Sequence, residues 1–312
     1  MSLYRQQVRG VLRAVTILPP DRYEWLGRRS GHAPEGAPDS YLVHGLTQEL
    51  YTSFYCRGRV GPARWGEPDP AGGDARLAYA VARADTGRGG RDGGWTVERT
   101  DGEMVVLARG GLRLRAARSD CEDEGATVSV PLPAGPSPFS PGFLTLLGDA
   151  GDVRGTELVR AYWHVTERGA AALVGALTRH LNAAGVPFRL KIAHHAHLFD
   201  RCDAAVLYIG LDTFRAQREH LAGVAERLAC WLRPFTPAFA LALRPGLGLA
   251  EDHGGPQSFG ERRCAQLAEG LVEAGPAGED ERLAVVERRF ARDGVALDAP
   301  YLDPLLDGRH VL

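Results

Sequence analysis

Residues 188–210 read FRLKIAHHAHLFDRCDAAVLYIG, in which two apolar runs flank a short polar connection. The alternation in the first run predicts a strand over residues 187–193, and the second run predicts another over 204–210. Neighbouring strands without a helix between them are typical of an antiparallel sheet. The first strand contains Lys191, the only lysine in a chain with 37 Lys plus Arg residues.

The elements on either side extend this pair into a larger sheet. Hydrophobic periodicity predicts a strand over 157–165 and a helix over 168–185 before it. The elements predicted after it are helix 213–232, strand 239–244, helix 258–274 and helix 279–293. Adjacent strands mixed with helical crossovers indicate an α+β fold, in which a mostly antiparallel sheet is backed by helices. We expect residues 141–312 to form an α+β catalytic region.

The N-terminal half has a different pattern. Apolar spacing predicts helices over 3–18 and 41–56, and WTVERT, EMVVLA and LRLRAA (95–117) are joined by DG and GG turns that are typical of β-hairpins. This β-rich insertion, with ATVSVPLP as a possible fourth strand, ends in a Pro-rich linker over 133–142. We therefore expect residues 1–140 to be a helical and β-hairpin region that contacts a peptide or a partner.

Composition excludes several classes of protein. A formal net charge of −2 in 312 residues argues against a nucleic-acid binder that works by neutralising phosphates. No apolar run reaches the ~20 residues of a membrane span, and the N-terminus lacks the apolar region of a signal peptide. We expect a cytoplasmic protein that binds no membrane, with its five cysteines reduced.

Side chains two apart share one face of a strand, and this parity groups cationic and tyrosine side chains. Arg160, Tyr162 and His164 share one face of the first strand. Arg189 and Lys191 share a face of the second, and Tyr208 belongs to the third. A solvated outer face is the alternative interpretation. The shortage of Glu, Thr and Ser on these faces, and the presence of the only lysine, favour a functional surface.

The chemistry of Lys191 distinguishes it from the arginines. Arginine keeps its proton at working pH, whereas a lysine whose pKa is lowered by burial and neighbouring cations can act as a base. A lysine base, a histidine acid and several arginines suit an anionic substrate, and arginine matches the geometry of phosphate. No P-loop is present and the carboxylates do not converge on these strands. We therefore expect an elimination of phosphate that requires no metal and no cofactor.

The sequence also resembles a known family. RAYWHV (160–165), PFRLKIAHHAHLFDRCDAAVLYIG (187–210) and LRPGLGLAEDHGGPQSFGERRCAQLAEGL (243–271) are similar to the HopA-type effector family of plant-pathogenic bacteria. The resemblance covers roughly residues 41–56 and 157–305. Relatives in thioamitide and class V lanthipeptide biosynthesis are thought to remove phosphate from Ser or Thr of a ribosomal precursor peptide, giving dehydroamino acids. The resemblance implies two partners: the phosphorylated precursor peptide and an aminoglycoside-phosphotransferase-like kinase.

A fainter similarity to the phosphothreonine lyases implies roles for individual residues. By position, His164 matches the acid, Lys191 the base, Arg201 a phosphate-binding arginine and Tyr208 a tyrosine that assists the base. Tyr162 stands where those enzymes have a lysine, and Arg160 is the candidate that replaces its charge. Further candidate phosphate ligands are Arg189, Arg244 and Arg263, together with the N-terminus of the helix after Ser258.

The HHxH run of His194, His195 and His197 invites a metal interpretation, but its spacing is not a selective metal motif. We expect His195, with Tyr162, to line a substrate groove instead. The sequence therefore predicts a lyase acting on phosphoserine or phosphothreonine. The alternative is a non-catalytic, effector-like protein whose cationic face binds a phosphopeptide or a partner protein.

Overall fold

The structure is a computed structural model, and it describes residues 2–38, 40–57, 73–132, 134–140, 142–153, 157–255, 257–306 and 308–312. It confirms the α+β fold with antiparallel sheets. None of the helices in the described part of the chain combines the length and hydrophobicity of a membrane span.

The N-terminal region begins with an amphipathic helix that Ser2 caps by accepting a hydrogen bond from the Arg5 backbone N–H. Its elements are α1 (Leu3–Ala14), β1 (Val15–Leu18), β2 (Arg22–Trp25), β3 (Arg28–Arg29), α2 (Tyr41–Glu49) and α3 (Ala75–Ala84). The predicted helix over 3–18 is wrong in its last four residues, because the β-branched run at 15–17 pairs with β2 as a strand. Helix α2 continues as a π-helical turn over Leu50–Tyr55.

The predicted β-rich insertion is confirmed as a five-stranded antiparallel sheet. Its strands are β4 (Arg91–Asp101), β5 (Met104–Arg109), β6 (Leu112–Ala117), β7 (Glu122–Glu124) and β8 (Thr127–Pro131). Gly110 and Gly111 adopt φ of 54° and 81° in the turn between β5 and β6, which is why a GG pair is used there. A small core of its own, centred on Trp95, Val105 and Leu107, stabilises this sheet.

The C-terminal part forms a seven-stranded antiparallel sheet in the order β14-β15-β11-β13-β12-β10-β9. Its strands are β9 (Ser137–Ser140), β10 (Phe143–Leu147), β11 (Leu158–Trp163), β12 (Phe188–Ala193), β13 (Ala205–Gly210), β14 (Leu241–Arg244) and β15 (Leu247–Asp252). The linker predicted over 133–142, of which 133 and 141 lie outside the described residues, is wrong at 137–140, because β9 pairs with β10 there. The end of the predicted N-terminal region, residue 140, therefore falls inside the main sheet.

Helices cover both faces of this sheet. They are α4 (Ala170–Ala183), α5 (Leu211–Arg227), α6 (Phe259–Ala274) and α7 (Glu279–Arg292). One face packs against α3, α4 and α5 through an apolar core in which Trp163, Phe188 and Leu207 are fully buried. Burial of each such side chain contributes about 1.5–3 kcal/mol to folding. The other face meets a second core, to which α1, α2, α6 and α7 contribute.

Candidate active site

Strand register brings the predicted polar side chains into two rows across β11, β13 and β12. Arg160 and Arg189 both stand opposite Tyr208, in the first row. Tyr162 and Lys191 both stand opposite Val206, in the second. Residues in register on neighbouring strands point to the same face, so these side chains share one surface. The small apolar Val206 separates Tyr162 from Lys191 and leaves space between them.

A cavity of about 330 Å³ opens above these rows. The π-helical turn after α2 and the N-terminus of α6 form its other walls. Five of the ten predicted site residues line it, namely Arg160, Tyr162, Lys191, Arg201 and Tyr208. The cavity is large enough for a phosphorylated side chain and the backbone that carries it.

Each of three arginines at or beside the cavity is paired with a carboxylate. Arg160 pairs with the fully buried Asp252 through its Nε. Arg201 makes two hydrogen bonds of 2.8 Å to Asp203. Arg189, which does not line the cavity, forms a similar fork with Asp152, with Nε 3.0 Å from Oδ1. Such pairing offsets the cost of removing charge from water and fixes the guanidinium groups in position.

Lys191 differs from these arginines, because it forms no ion pair with any carboxylate among the described residues. Its Nζ lies 5.7 Å from the centre of the Tyr208 ring. Burial lowers the pKa of Lys191 below the usual lysine value, and the charges of Arg189 and Arg160 lower it further, against a weaker opposing effect of Asp152. A lysine in this environment releases its proton more readily than an exposed one, as a general base requires.

The Tyr208 ring lies at the centre of this cationic group. The guanidinium carbons of Arg160 and Arg189 lie 5.0 and 5.7 Å from its centroid, so three cations surround one aromatic face or edge. Burial raises the pKa of Tyr208, although the two arginines oppose the shift. Its hydroxyl therefore keeps its proton at neutral pH and can serve as a hydrogen-bond donor.

His164 lies on the same face as Tyr162, immediately after the end of β11, but it does not line the cavity. Its side chain is 3% exposed, and its Nδ1 lies 3.3 Å from the Phe235 carbonyl oxygen. Its Nε2 is also buried. Burial lowers the pKa of His164, and the charge of Arg233 adds to the effect. The ring is thus neutral in this state, whereas an acid catalyst must carry a proton.

Three predicted residues lie away from the cavity. Arg244 is exposed and pairs with Glu226 on α5. Arg263, only 2% exposed, donates hydrogen bonds to the carbonyl oxygens of Pro300 and Leu302, so it fixes the C-terminal segment to α6. His195 is buried, with its ring centroid 5.4 Å from that of His197. The side chains of these three residues therefore do not line the cavity, whereas the sequence suggested that they contact the substrate.

The N-terminus of α6 is occupied by its own capping box. Ser258 accepts from the Glu261 backbone N–H, and the Glu261 carboxylate accepts from the Ser258 N–H. Both residues line the cavity. Because a carboxylate already lies at the positive end of the helix, this terminus is less suited to hold a phosphate than the sequence suggested.

One carboxylate cluster lies behind Arg160. Oxygen or nitrogen atoms of Asp252, His253 and Asp303 lie within 4.8 Å of one another, a spacing that could hold a metal ion. Arg160 and Arg262 both pair with Asp252, and Arg262 also lies 3.4 Å from Asp303. These cations neutralise the carboxylates and disfavour a metal at this position.

Sequence reasoning missed three residues that shape the cavity. Tyr51 and Tyr55 have the helical spacing of core residues and do pack in the second core, and both also line the cavity, with their rings stacked at 5.4 Å. Asp203, the partner of Arg201, also lines it. The RCD triplet at 201–203 carried a signal for this pair, because it places a cation and a carboxylate two residues apart, and the turn at these residues brings them together.

Comparisons with known proteins found one family model and several solved structures that match this chain. Residues 136–302 match the model of the HopA1 effector protein family. The chain is similar in structure to an effector protein from Pseudomonas syringae pv. tomato strain DC3000, with 21% identity and a TM-score of 0.43, over 52% of this chain and 62% of that one. It is also similar to an effector protein from Pseudomonas syringae pv. syringae strain 61, with 15% identity and a TM-score of 0.49, over 82% of this chain and 88% of that one. A comparison with curated proteins gave no match.

Proposed function

The chain belongs to the HopA1 effector protein family, and on that premise we propose that it is a lyase that β-eliminates phosphate from phosphoserine or phosphothreonine of a ribosomal precursor peptide. The observation that carries the proposal is the state of Lys191. It is a cavity lysine with a lowered pKa and no carboxylate partner among the described residues, beside arginines that each have one.

In the proposed reaction the neutral Lys191 amine takes the Cα proton of the phosphorylated residue. The C–H electron pair becomes the second bond between Cα and Cβ, the Cβ–O bond breaks, and phosphate leaves with the electron pair of that Cβ–O bond. Serine then gives dehydroalanine and threonine gives dehydrobutyrine. Arg160, Arg189 and Arg201 provide positive charge for the phosphate, and the Tyr208 hydroxyl orients Lys191 or the leaving group. The chemistry requires no metal.

His164 is the proposed acid that protonates the departing phosphate. Hydrogen bonds to the backbone of Phe235 and Asp200 already oppose the lowering of its pKa, and the carboxylate of Asp203 does so more weakly. A phosphate dianion bound in the cavity would raise that pKa further, so substrate binding itself would favour the protonated ring. Because Nδ1 already lies 3.3 Å from the Phe235 carbonyl oxygen, Nε2 is the nitrogen that would take this role.

The partners follow from the same proposal. An aminoglycoside-phosphotransferase-like kinase supplies the phosphorylated precursor peptide, and its need for ATP places both proteins in the cytoplasm. Edge strand β6 of the five-stranded sheet suits the peptide, because its Leu112 and Leu114 are 63% and 36% exposed and a peptide can pair with a free edge. Leu112→Asp should weaken peptide affinity without changing the turnover of a short phosphoserine peptide.

Phosphopeptide binding without catalysis is the alternative, and it is favoured by the position of His164 outside the cavity lining. One experiment separates the two functions. A phosphoserine peptide is incubated with the protein in the presence of EDTA, and the mass of the peptide is then measured by mass spectrometry. A lyase yields a peptide that has lost phosphoric acid, whereas a phosphatase yields one heavier than this by one water. An unchanged mass, both alone and with the kinase present, would leave only the binding function.

A further inference from the structure

Asp252, the carboxylate that pairs with Arg160, also pairs with a second arginine. Arg160 contacts one carboxylate oxygen, and Arg262 of α6 donates a hydrogen bond of 2.7 Å to the other. Burial acts to raise the pKa of Asp252, but Arg160 and Arg262 lower it below the usual aspartate value, so the carboxylate stays ionised at neutral pH. One fully buried negative charge therefore lies between two positive charges.

Arg262 is held in position by contacts on its other side. Its Nη1 donates to the Gln257 carbonyl oxygen over 2.7 Å, and its Nη2 lies 3.4 Å from Asp303 in the C-terminal segment. The Arg262 side chain is only 16% exposed and does not line the cavity. Any influence of Arg262 on a substrate in the cavity must therefore act through Asp252 and Arg160.

This arrangement of charges has a consequence for anion binding. Arg160 lines the cavity and would attract a phosphate, whereas its partner Asp252 would repel the same phosphate. The repulsion is strong, because little water screens buried charges. Arg262 offsets it, and without Arg262 the remaining pair of Arg160 and Asp252 would be neutral. Asp303 adds a negative charge one contact further away, where the backbone N–H and the ring Nδ1 of His253 bind it.

We propose that Arg262 is a positioning residue that, through Asp252, keeps the Arg160 guanidinium oriented and available to the phosphate of the substrate. The inference rests on the proposed lyase function, and it names a residue that sets the affinity for phosphate rather than the rate of proton removal. Phosphate is charged both in the bound substrate and in the transition state, so an interaction with it contributes to both. Loss of such an interaction raises KM and leaves kcat nearly unchanged.

The test measures the affinity for inorganic phosphate by calorimetry and the kinetics with a phosphoserine peptide. Arg262→Gln should weaken phosphate binding and raise KM about tenfold, and kcat should stay within about twofold. Arg262→Lys keeps a positive charge beside Asp252 and should bind phosphate within about threefold of wild type. Asp303→Asn should have the opposite effect and tighten phosphate binding about threefold, because it removes a negative charge beside Arg262. This third variant tests the proposal even if Arg262→Gln does not fold.

Arg289→Gln is the matched control. Arg289 of α7 pairs with Glu269 and Asp293, and its side chain is 18% exposed, so its burial and its partners resemble those of Arg262. Arg262→Gln and Arg289→Gln should both lower the thermal midpoint, because each leaves two carboxylates without a cation. Only Arg262→Gln should weaken the binding of phosphate.

A double variant shows whether Arg262 acts through Arg160. In an Arg160→Gln background, Arg262→Gln should change phosphate affinity less than about twofold, because the residue that it positions is absent. Unchanged phosphate affinity in both Arg262→Gln and Asp303→Asn, or a tenfold loss that persists in the Arg160→Gln background, would overturn the positioning role and leave the lyase function intact. Wild-type protein that binds phosphate but eliminates none would contradict the lyase function alone, because phosphate affinity is measured without turnover.

Discussion

The two faces of strands β11, β12 and β13 share one backbone and differ in nearly every side chain. The face towards α4 and α5 carries Val159, Trp163 and Leu207, all with no exposed surface. The opposite face carries Arg160, Tyr208 and Lys191 around an open cavity. The first face gains free energy from the burial of apolar side chains, whereas the second places charged side chains out of water. A protein retains such a face when its chemistry requires it.

The largest expected effect is a loss of stability on the apolar face. Phe188→Ala should lower the free energy of unfolding by about 3–5 kcal/mol, because it leaves a cavity beside a fully buried strand position. Lys191→Met, on the opposite face of the same strand, should cost less than about 0.5 kcal/mol, because no ion pair is lost. Urea unfolding measures both. Equal losses for the two variants would contradict the contrast between the faces.

The carboxylates that pair with the arginines of the cavity should contribute more to the free energy of unfolding than exposed carboxylates do. Asp203→Asn leaves the Arg201 guanidinium inside the protein without its counter-ion, and should lower the free energy of unfolding by about 3 kcal/mol. Glu226→Gln breaks the exposed pair with Arg244 and should cost less than about 0.5 kcal/mol. If the two substitutions lower the free energy of unfolding by the same amount in urea, Arg201 does not require Asp203 as its counter-ion.

The smallest effect is a shift in pH dependence. Lys191 must lose its proton to act, so kcat/KM should rise with pH through its lowered pKa. Arg189→Gln removes one cation that lowers this pKa and leaves the charge of Asp152 unopposed. The rising limb of the profile should therefore move to higher pH. Arg244→Gln changes a residue away from the cavity and should leave the rising limb at the same pH. If the rising limb also stays at the same pH in Arg189→Gln, Lys191 is not the group whose titration the profile reports.

Much of this contrast could be predicted from the sequence, because alternation along a strand is a property of the backbone. Parity grouped Arg160 with Tyr162 and Arg189 with Lys191, and the observed register confirms that both pairs face one surface. Strand β15 is not among the elements that the sequence predicted, because glycine is typical of loops and Gly246 and Gly248 lie at its start. Gly248 lies in that strand opposite Tyr162, where an added Cβ would lie 3.0 Å from Thr236.

Contacts between residues far apart in sequence could not be predicted. Arg263 has the residue type and the helix position of a phosphate ligand, but carbonyl groups 37 and 39 residues later accept its hydrogen bonds. Tyr51 and Tyr55 show helical spacing that is typical of a core. The π-helical turn aligns their rings and brings them to the cavity, and periodicity does not reveal such a turn.

The central claim is that Lys191 removes a proton rather than only attracting phosphate, and Lys191→Arg tests it most directly. Arginine preserves the positive charge but cannot act as a base at working pH. A phosphoserine peptide is mixed with each protein, and both the bound fraction and the mass of the peptide are measured. We expect wild type to bind the peptide and release its phosphate by elimination. Lys191→Arg should bind with similar affinity and leave the peptide mass unchanged, whereas undiminished elimination by Lys191→Arg would contradict the account.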